Sequence, residues 1–282
     1  MNTLKIAVQK SDRIAKDFIS LLQKCDIQME ETKTKLYCKY KELPIEIFFI
    51  RGIDIQNLML KNFDCAVIGE DTFLENKMID RCEIIKRLDF SKCHISIAGL
   101  LDKNFNIQKL QNKRIATTYT NILQDCLQKY NISAEIIKLN GSVETSIDLN
   151  IADYIFDIVQ TGETLKQQGL TELQKMLNFE AILIKNKTFS NEILDELIYR
   201  IDAVLLSKKY QYIMFNLQKK HLDKIKQVLP SGQSPTILNL IDENYVAIHS
   251  LCEKNKIFAI CKELKNIGAN NIIVSDVNLM IK

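Results

Sequence analysis

Residues 157–170, DIVQTGETLKQQGL, run from an apolar strand through Thr-Gly-x-Thr into a helix. Threonine caps helices and glycine eases the turn that precedes them, so the stretch has an ordinary structural explanation. It also has a chemical one: free N–H groups at a helix start, beside two hydroxyls, form a seat for a phosphate. Strand, loop and helix in this order are the repeating unit of an α/β layer. The same unit recurs upstream, where LKIAV (4–8) leads through Gln9-Lys10-Ser11 into a segment with apolar residues at Ile14, Phe18, Leu21 and Leu22.

Further apolar runs continue the series: IEIFFI (45–50), CAVIG (65–69), ISIAGL (95–100), RIATT (114–118), AEIIKL (134–139) and YIFDIV (154–159). Runs this apolar imply strands covered on both faces, hence α/β layers with parallel sheets. From about residue 210 the rhythm changes. YIMFNL, HLDKIKQVL, PTILNL, YVAIHSL, KIFAICKELKNIG and NIIVSDV read as β-α-β-β-α-β, the ferredoxin-like order, with Gly268 where a helix C-cap belongs.

A chain of 282 residues, 46% of them apolar, has room for two or three units with their own cores. Its 38 basic and 35 acidic residues leave a net charge of +3, which gives no argument for nucleic acid or an anionic membrane as partner. The N-terminal apolar stretch is too short for a secretory core, and no run approaches a membrane span. The eight cysteines have no C-x-x-C pair, and the three histidines have no zinc-site spacing. Reduced thiols in a cytoplasmic protein are the expectation.

With only eight glycines in the chain, Gly69, Gly141 and Gly162 stand out at or near strand ends, where open α/β sheets bind ligands. Thr-Gly-x-Thr alone is a weak signal. Asp157, four residues before Thr161, and Glu144, which opens the segment leading to it, add two carboxylates to the same neighbourhood. A phosphorylated sugar needs this set, with N–H and hydroxyl donors for its phosphate and carboxylates for its ribose hydroxyls. The structural alternatives are a strand-end cap for Asp157 and first-turn helix charge for Glu144. Lys10 and Arg13 flank a helix start where cations and N–H groups favour anions, or are ordinary exposed charge.

The stretch GSVETSIDLNIADYIFDIVQTGETL (141–165) resembles the signature of the ATP phosphoribosyltransferases, first enzymes of histidine biosynthesis. LKIAVQKSDRI (4–14), FFIRGIDI (48–55), VIGEDTFLE (67–75) and KRIATTYTNIL (113–123) resemble further motifs of that family in order, and SPTILNL (234–240) and VAIHS (246–250) its long-form C-terminal domain. The resemblance implies an α/β fold with two type II periplasmic-binding-protein-like lobes, residues 1–95 plus 185–208 and residues 96–184. A C-terminal ferredoxin-like (ACT-like) βαββαβ domain, residues 209–282, would follow. It implies Asp157, Thr161, Gly162, Glu163 and Thr164 for phosphoribosyl pyrophosphate, and Lys10, Ser11, Arg13 and Glu70 for ATP. Glu144, Asp157, Arg13 and Arg51 would be catalytic, Ser234 and Thr236 would bind the inhibitor histidine, Mg²⁺ would be the cofactor, and the assembly would be a homo-hexamer built from dimers. The chain departs from the family pattern at Asp12, which replaces the glycine of S-G-R and sets a carboxylate beside the anion site. Two other readings are a catalytically impaired regulatory paralogue and a bilobed small-molecule binding protein.

Overall fold

Branched and aromatic side chains suit a pleated surface covered on both faces, and the apolar runs accordingly form strands. The computed structural model describes residues 3–28, 37–40, 42–159, 162–229 and 235–281. The chain begins β1 (Leu4–Gln9), α1 (Asp12–Lys24), β2 (Tyr37–Tyr40), β3 (Ile45–Ile50), α2 (Gly52–Asn62), β4 (Cys65–Gly69), α3 (Glu70–Glu75) and β5 (Cys82–Arg87). It continues β6 (Cys93–Gly99), β7 (Arg114–Thr117), α4 (Thr120–Lys129), β8 (Glu135–Lys138), α5 (Thr145–Asp148), β9 (Tyr154–Val159), α6 (Glu163–Gln167), β10 (Thr171–Phe179) and β11 (Ala181–Asn186). The remainder is α7 (Glu192–Ser207), β12 (Tyr210–Gln218), α8 (Leu222–Val228), β13 (Thr236–Asn239), β14 (Tyr245–Glu253), α9 (Ile257–Asn266) and β15 (Asn270–Asp276). No helix of the described residues is long and apolar enough to cross a membrane.

Two compact units result, Met1–Ser20 with Gln28–Ile193 and Leu21–Ile27 with Leu194–Lys282. The first holds two sheets, ordered β2-β3-β1-β4-β11-β5 and β10-β6-β9-β7-β8. In the first sheet β1 runs parallel to β3 and β4, whereas β11 is antiparallel to β4 and β5. In the second, β7 is parallel to β8 and β9, whereas β6 is antiparallel to β9 and β10. Both sheets are therefore mixed, which corrects the expectation of parallel ones. Cover on both faces makes a strand apolar but does not set its direction; β4 and the AILI run of β11 are both buried and run opposite ways.

The chain passes from the first sheet to the second between β5 and β6, and returns between β10 and β11 at Glu180. These crossings are bonded to each other, Leu88 N–H to Ala181 O at 3.0 Å and Ala181 N–H to Phe90 O at 3.0 Å. One face of the second sheet packs Ile95, Ile115 and Phe156 against Ile122 and Leu123 of α4. Its other face packs Ala98, Ile155 and Val159 against Leu165 and Leu170 around α6. Phe156 is fully buried on the α4 face.

In the second unit the order β12-α8-β13-β14-α9-β15 folds into an antiparallel sheet, β13-β14-β12-β15, the ferredoxin-like arrangement. Ile213, Phe215, Ile248 and Leu264 form its core. Gly268 follows α9 at φ 91°, a left-handed backbone, and donates its N–H to Lys265 O at 3.1 Å to close the helix. The tail bonds to α7, with Met280 N–H on Ala203 O and Ser207 Oγ on Asn278 O.

Truncating Phe156 to alanine leaves a cavity in the second sheet's core and is expected to lower unfolding free energy by about 3–5 kcal/mol, measured by urea denaturation.

Candidate active site

The β6–β9 pairing sets Ser96 opposite Asp157, so both side chains leave the same face of the second sheet. That face floors a cavity of about 250 Å³ lined by Ser96, Glu144, Asp157, Gly162, Thr164 and Leu165. Four of the residues expected at a sugar-phosphate site, Glu144, Asp157, Gly162 and Thr164, thus meet in one pocket. Glu163 is exposed beside it; Thr161 lies outside the described residues.

Gly162 sits at φ 73° and ψ 6°, the left-handed conformation that side chains other than glycine adopt at a cost, and forms the N-cap of α6. The first bond of the turn runs from Lys166 N–H to Gly162 O at 3.1 Å, so the N–H groups of Glu163, Thr164 and Leu165 precede it. The glycine therefore bends the chain sharply enough to aim a helix start at the pocket.

Asp157 accepts one hydrogen bond, from Ile158 N–H at 2.8 Å. Burial pushes its carboxyl above the usual range, to about 6; that N–H opposes the rise, and the neighbouring Glu144 carboxylate adds to it. Two carboxylates on one wall make a strong acceptor pair for hydroxyl donors.

Lys10 and Arg51 follow the C-terminal ends of the adjacent parallel strands β1 and β3, and Arg13 lies in the first turn of α1. Gln9 pairs with Ile50, and Lys10 N–H bonds to Ile50 O at 2.6 Å, which places Lys10 next to Arg51. All three cations are exposed. Ser11 caps α1, its Oγ accepting the Ile14 N–H at 3.2 Å. Arg13 hydrogen-bonds the Cys93 thiol and faces Asp71. Burial raises the Asp71 carboxyl, against the N–H bonds it accepts, the Tyr119 hydroxyl and the Arg13 charge. Tyr119 donates to Asp71 Oδ2 at 3.4 Å, and its own phenol is pushed far up by burial, with Asp71 and Asp157 acting in the same direction. Tyr119 and Asp71 thus form a polar contact between the two lobes, close enough to Arg13 and Asp157 to be shifted by their charges.

Glu70 is placed differently from a free ligand. It is buried, and both its oxygens accept from the Arg87 guanidinium, one of them at 2.6 Å. In the C-terminal domain Thr236 is exposed on β13 opposite His249, and Ser234 lies outside the described residues.

A family model described as ATP phosphoribosyltransferase matches residues 32–203, and one described as HisG, C-terminal domain, matches residues 207–279. An ATP phosphoribosyltransferase of Bacteroides thetaiotaomicron is 38% identical over 99% of both chains. This chain belongs to the ATP phosphoribosyltransferase family. Another member, from Cytophaga hutchinsonii, is 34% identical over 99% of both chains. Among solved structures, the ATP phosphoribosyl transferase (HisG:HisZ) complex from Thermotoga maritima aligns with a TM-score of 0.57 at 24% identity, covering 71% of this chain and 99% of that one. The likeness extends the family match to the fold. The C-terminal match makes this a long-form member, with two periplasmic-binding-protein-like lobes followed by a ferredoxin-like domain.

Within this ATP phosphoribosyltransferase fold, the pocket floor contains a strip that sequence reasoning missed. Ser96 Oγ donates to Glu172 Oε1 at 2.8 Å, and His94 Nε2 lies 2.9 Å from the same oxygen. With its proton on Glu172, fully buried Ser96 turns lone pairs toward the pocket. The strip joins β6 to β10, a strand whose pairing shifts register twice, so no spacing in the sequence announces it.

The raised Asp157 carboxyl carries a linkage consequence. Between about pH 4 and 6 the folded protein holds a proton that the unfolded chain has released, so stability falls as pH rises through that window. Asp157→Asn is expected to stabilise the ligand-free protein at pH 7 by on the order of 2 kcal/mol and to have little effect at pH 4, as read by urea denaturation at both pH values.

Proposed function

We propose that the protein transfers the phosphoribosyl group of phosphoribosyl pyrophosphate to an adenine ring nitrogen of ATP, the first step of histidine biosynthesis. The observation that carries this reading is the pocket in which Glu144 and Asp157 stand beside the left-handed Gly162 turn and the start of α6. A bond forms between ring nitrogen and anomeric carbon. The bond from that carbon to pyrophosphate breaks, and its electron pair leaves on the pyrophosphate oxygen.

In this reading the turn at Thr161, Gly162, Glu163 and Thr164 holds the 5-phosphate through N–H and hydroxyl donors. Glu144 and Asp157 accept from the ribose hydroxyls and fix the ring. Arg13 and Arg51 oppose the charge that develops on the departing pyrophosphate, with Lys10 and Ser11 beside the ATP phosphates. Glu70 then acts through Arg87, holding the strand end, rather than on the nucleotide directly. The lobes built on the two sheets would supply the two walls of the site; β11 enters the first sheet at Ala181, so the return to the first lobe falls at Glu180 rather than at the expected 185.

Two carboxylates in one pocket are hard oxygen donors of the kind that suits Mg²⁺. Glu144 and Asp157 would hold it on the protein side. When bound, the ion neutralises phosphate charge and polarises the leaving group.

Residues 209–282 would form the domain that binds histidine, with Ser234 and Thr236 as contacts, and the protein would act as a homo-hexamer built from dimers. The eight cysteines are scattered with no C-x-x-C pair, which fits a reducing, cytoplasmic setting.

The test is direct. Protein mixed with ATP, phosphoribosyl pyrophosphate and Mg²⁺, with pyrophosphatase to pull the equilibrium, is expected to develop the ultraviolet difference spectrum of a substituted adenine, and added histidine to suppress it. Binding of both substrates without product would reject the transferase reading. Asp157→Ala is expected to lower kcat about 100-fold or more with the fold intact by circular dichroism, and unchanged turnover would remove that residue from the site.

A further inference from the structure

We propose that one face of α3 is a latch that fixes the angle between the two lobes, with Glu75 as its positioning residue. Asp71, Leu74 and Glu75 stand at i, i+3 and i+4 of this helix and so share a face. Each reaches the lobe built on the second sheet. Asp71 accepts the Tyr119 hydroxyl at 3.4 Å. Leu74 packs against the apolar cores of both lobes. Glu75 covers the start of α4.

That last contact is dense. Glu75 Oε1 accepts from Asn121 N–H at 3.1 Å and from the Thr120 hydroxyl at 3.2 Å, and its Oε2 accepts from the N–H groups of Asn121 and Ile122, both at 3.1 Å. The Glu75 carbonyl takes a further bond, from Asn121 Nδ2 at 2.8 Å. The N-cap residue of α4 is Tyr119, whose side chain makes no capping bond, so the helix receives its cap from the other lobe. A carboxylate there is favoured by hydrogen bonding and by the helix dipole together.

The chain crossings at 88–92 and at Glu180 would by themselves allow hinge bending, as a two-segment connection does. The latch adds a third attachment, through Asp71, Leu74 and Glu75. It holds the exposed cations Lys10, Arg13 and Arg51 at one distance from the pocket of Asp157 and Glu144. Transfer between two bound polyanions depends on their alignment, and a displacement of about 1 Å can cost about 10²-fold in rate. Binding at the pocket depends less on the latch, because its lining comes from the second lobe alone.

This role for Glu75 in turnover rests on the transferase reading, whereas the latch itself does not. Hydrogen exchange on the full-length protein therefore accompanies kinetics. Glu75→Ala is expected to speed exchange of the Asn121 and Ile122 amides at least 10-fold. It is also expected to lower kcat at least 10-fold while the KM for phosphoribosyl pyrophosphate stays within 3-fold, with Glu75→Gln, which keeps one acceptor oxygen, intermediate in both. Should Glu75→Ala fail to fold, Thr120→Val removes a single bond, and a 2- to 3-fold fall in kcat with unchanged KM is expected. Unchanged amide exchange in Glu75→Ala overturns the latch. Wild-type kcat, or KM values for both substrates rising in step with the loss of kcat, overturns the positioning role. An unmodified protein that makes no product rejects the transferase reading instead, and the exchange measurement still decides the latch.

Discussion

The Asp157 carboxylate is held largely out of water on the floor formed by β6 and β9, with a single N–H for company. Everything around the pocket follows from keeping a negative charge in that position. The Gly162 turn aims a helix start, a region of positive partial charge, at the same space, and Glu144 faces it from the N-cap of α5. Such an arrangement is unfavourable until donors arrive. Ribose hydroxyls and the cations that travel with phosphates are suited to relieve it, so the free protein gives up stability for a site already shaped to its ligand.

Much of this was legible in the sequence, for particular reasons. YIFDIV (154–159) forms β9 and IEIFFI (45–50) forms β3 at the limits their apolar patterns set, because nothing in their surroundings interrupts the pleat. The C-terminal βαββαβ order was readable because each helix there has an amphipathic face and Gly268 marks an end. Strand direction was not readable, and neither were β10 and β11. TELQKMLNF has no clean alternation, since its pairing with β6 shifts register twice. Only Glu180 separates it from AILIKN, yet the two strands enter different sheets.

The site divides along the same line. Glu144, Asp157, Gly162 and Thr164 lie within 21 positions of one another, and local chain geometry suffices to bring them together. Ser96, Glu172 and His94 meet across the bulged strand, and Tyr119 meets Asp71 from another lobe; such partners are set by tertiary packing and leave no periodic trace. Glu75 shows the limit plainly. As the last residue of a short helix it looks like surface charge, and only the fold reveals that the helix it caps begins 45 residues later, at Thr120.

Leu74, partly buried, packs against the apolar clusters of both lobes. A side chain shared in this way makes each lobe part of the other's interior, so neither can melt without exposing surface that its neighbour had covered. The body of the chain should lose structure in one cooperative transition rather than in two steps, and evolution cannot retune the interior of one half without the other registering the change.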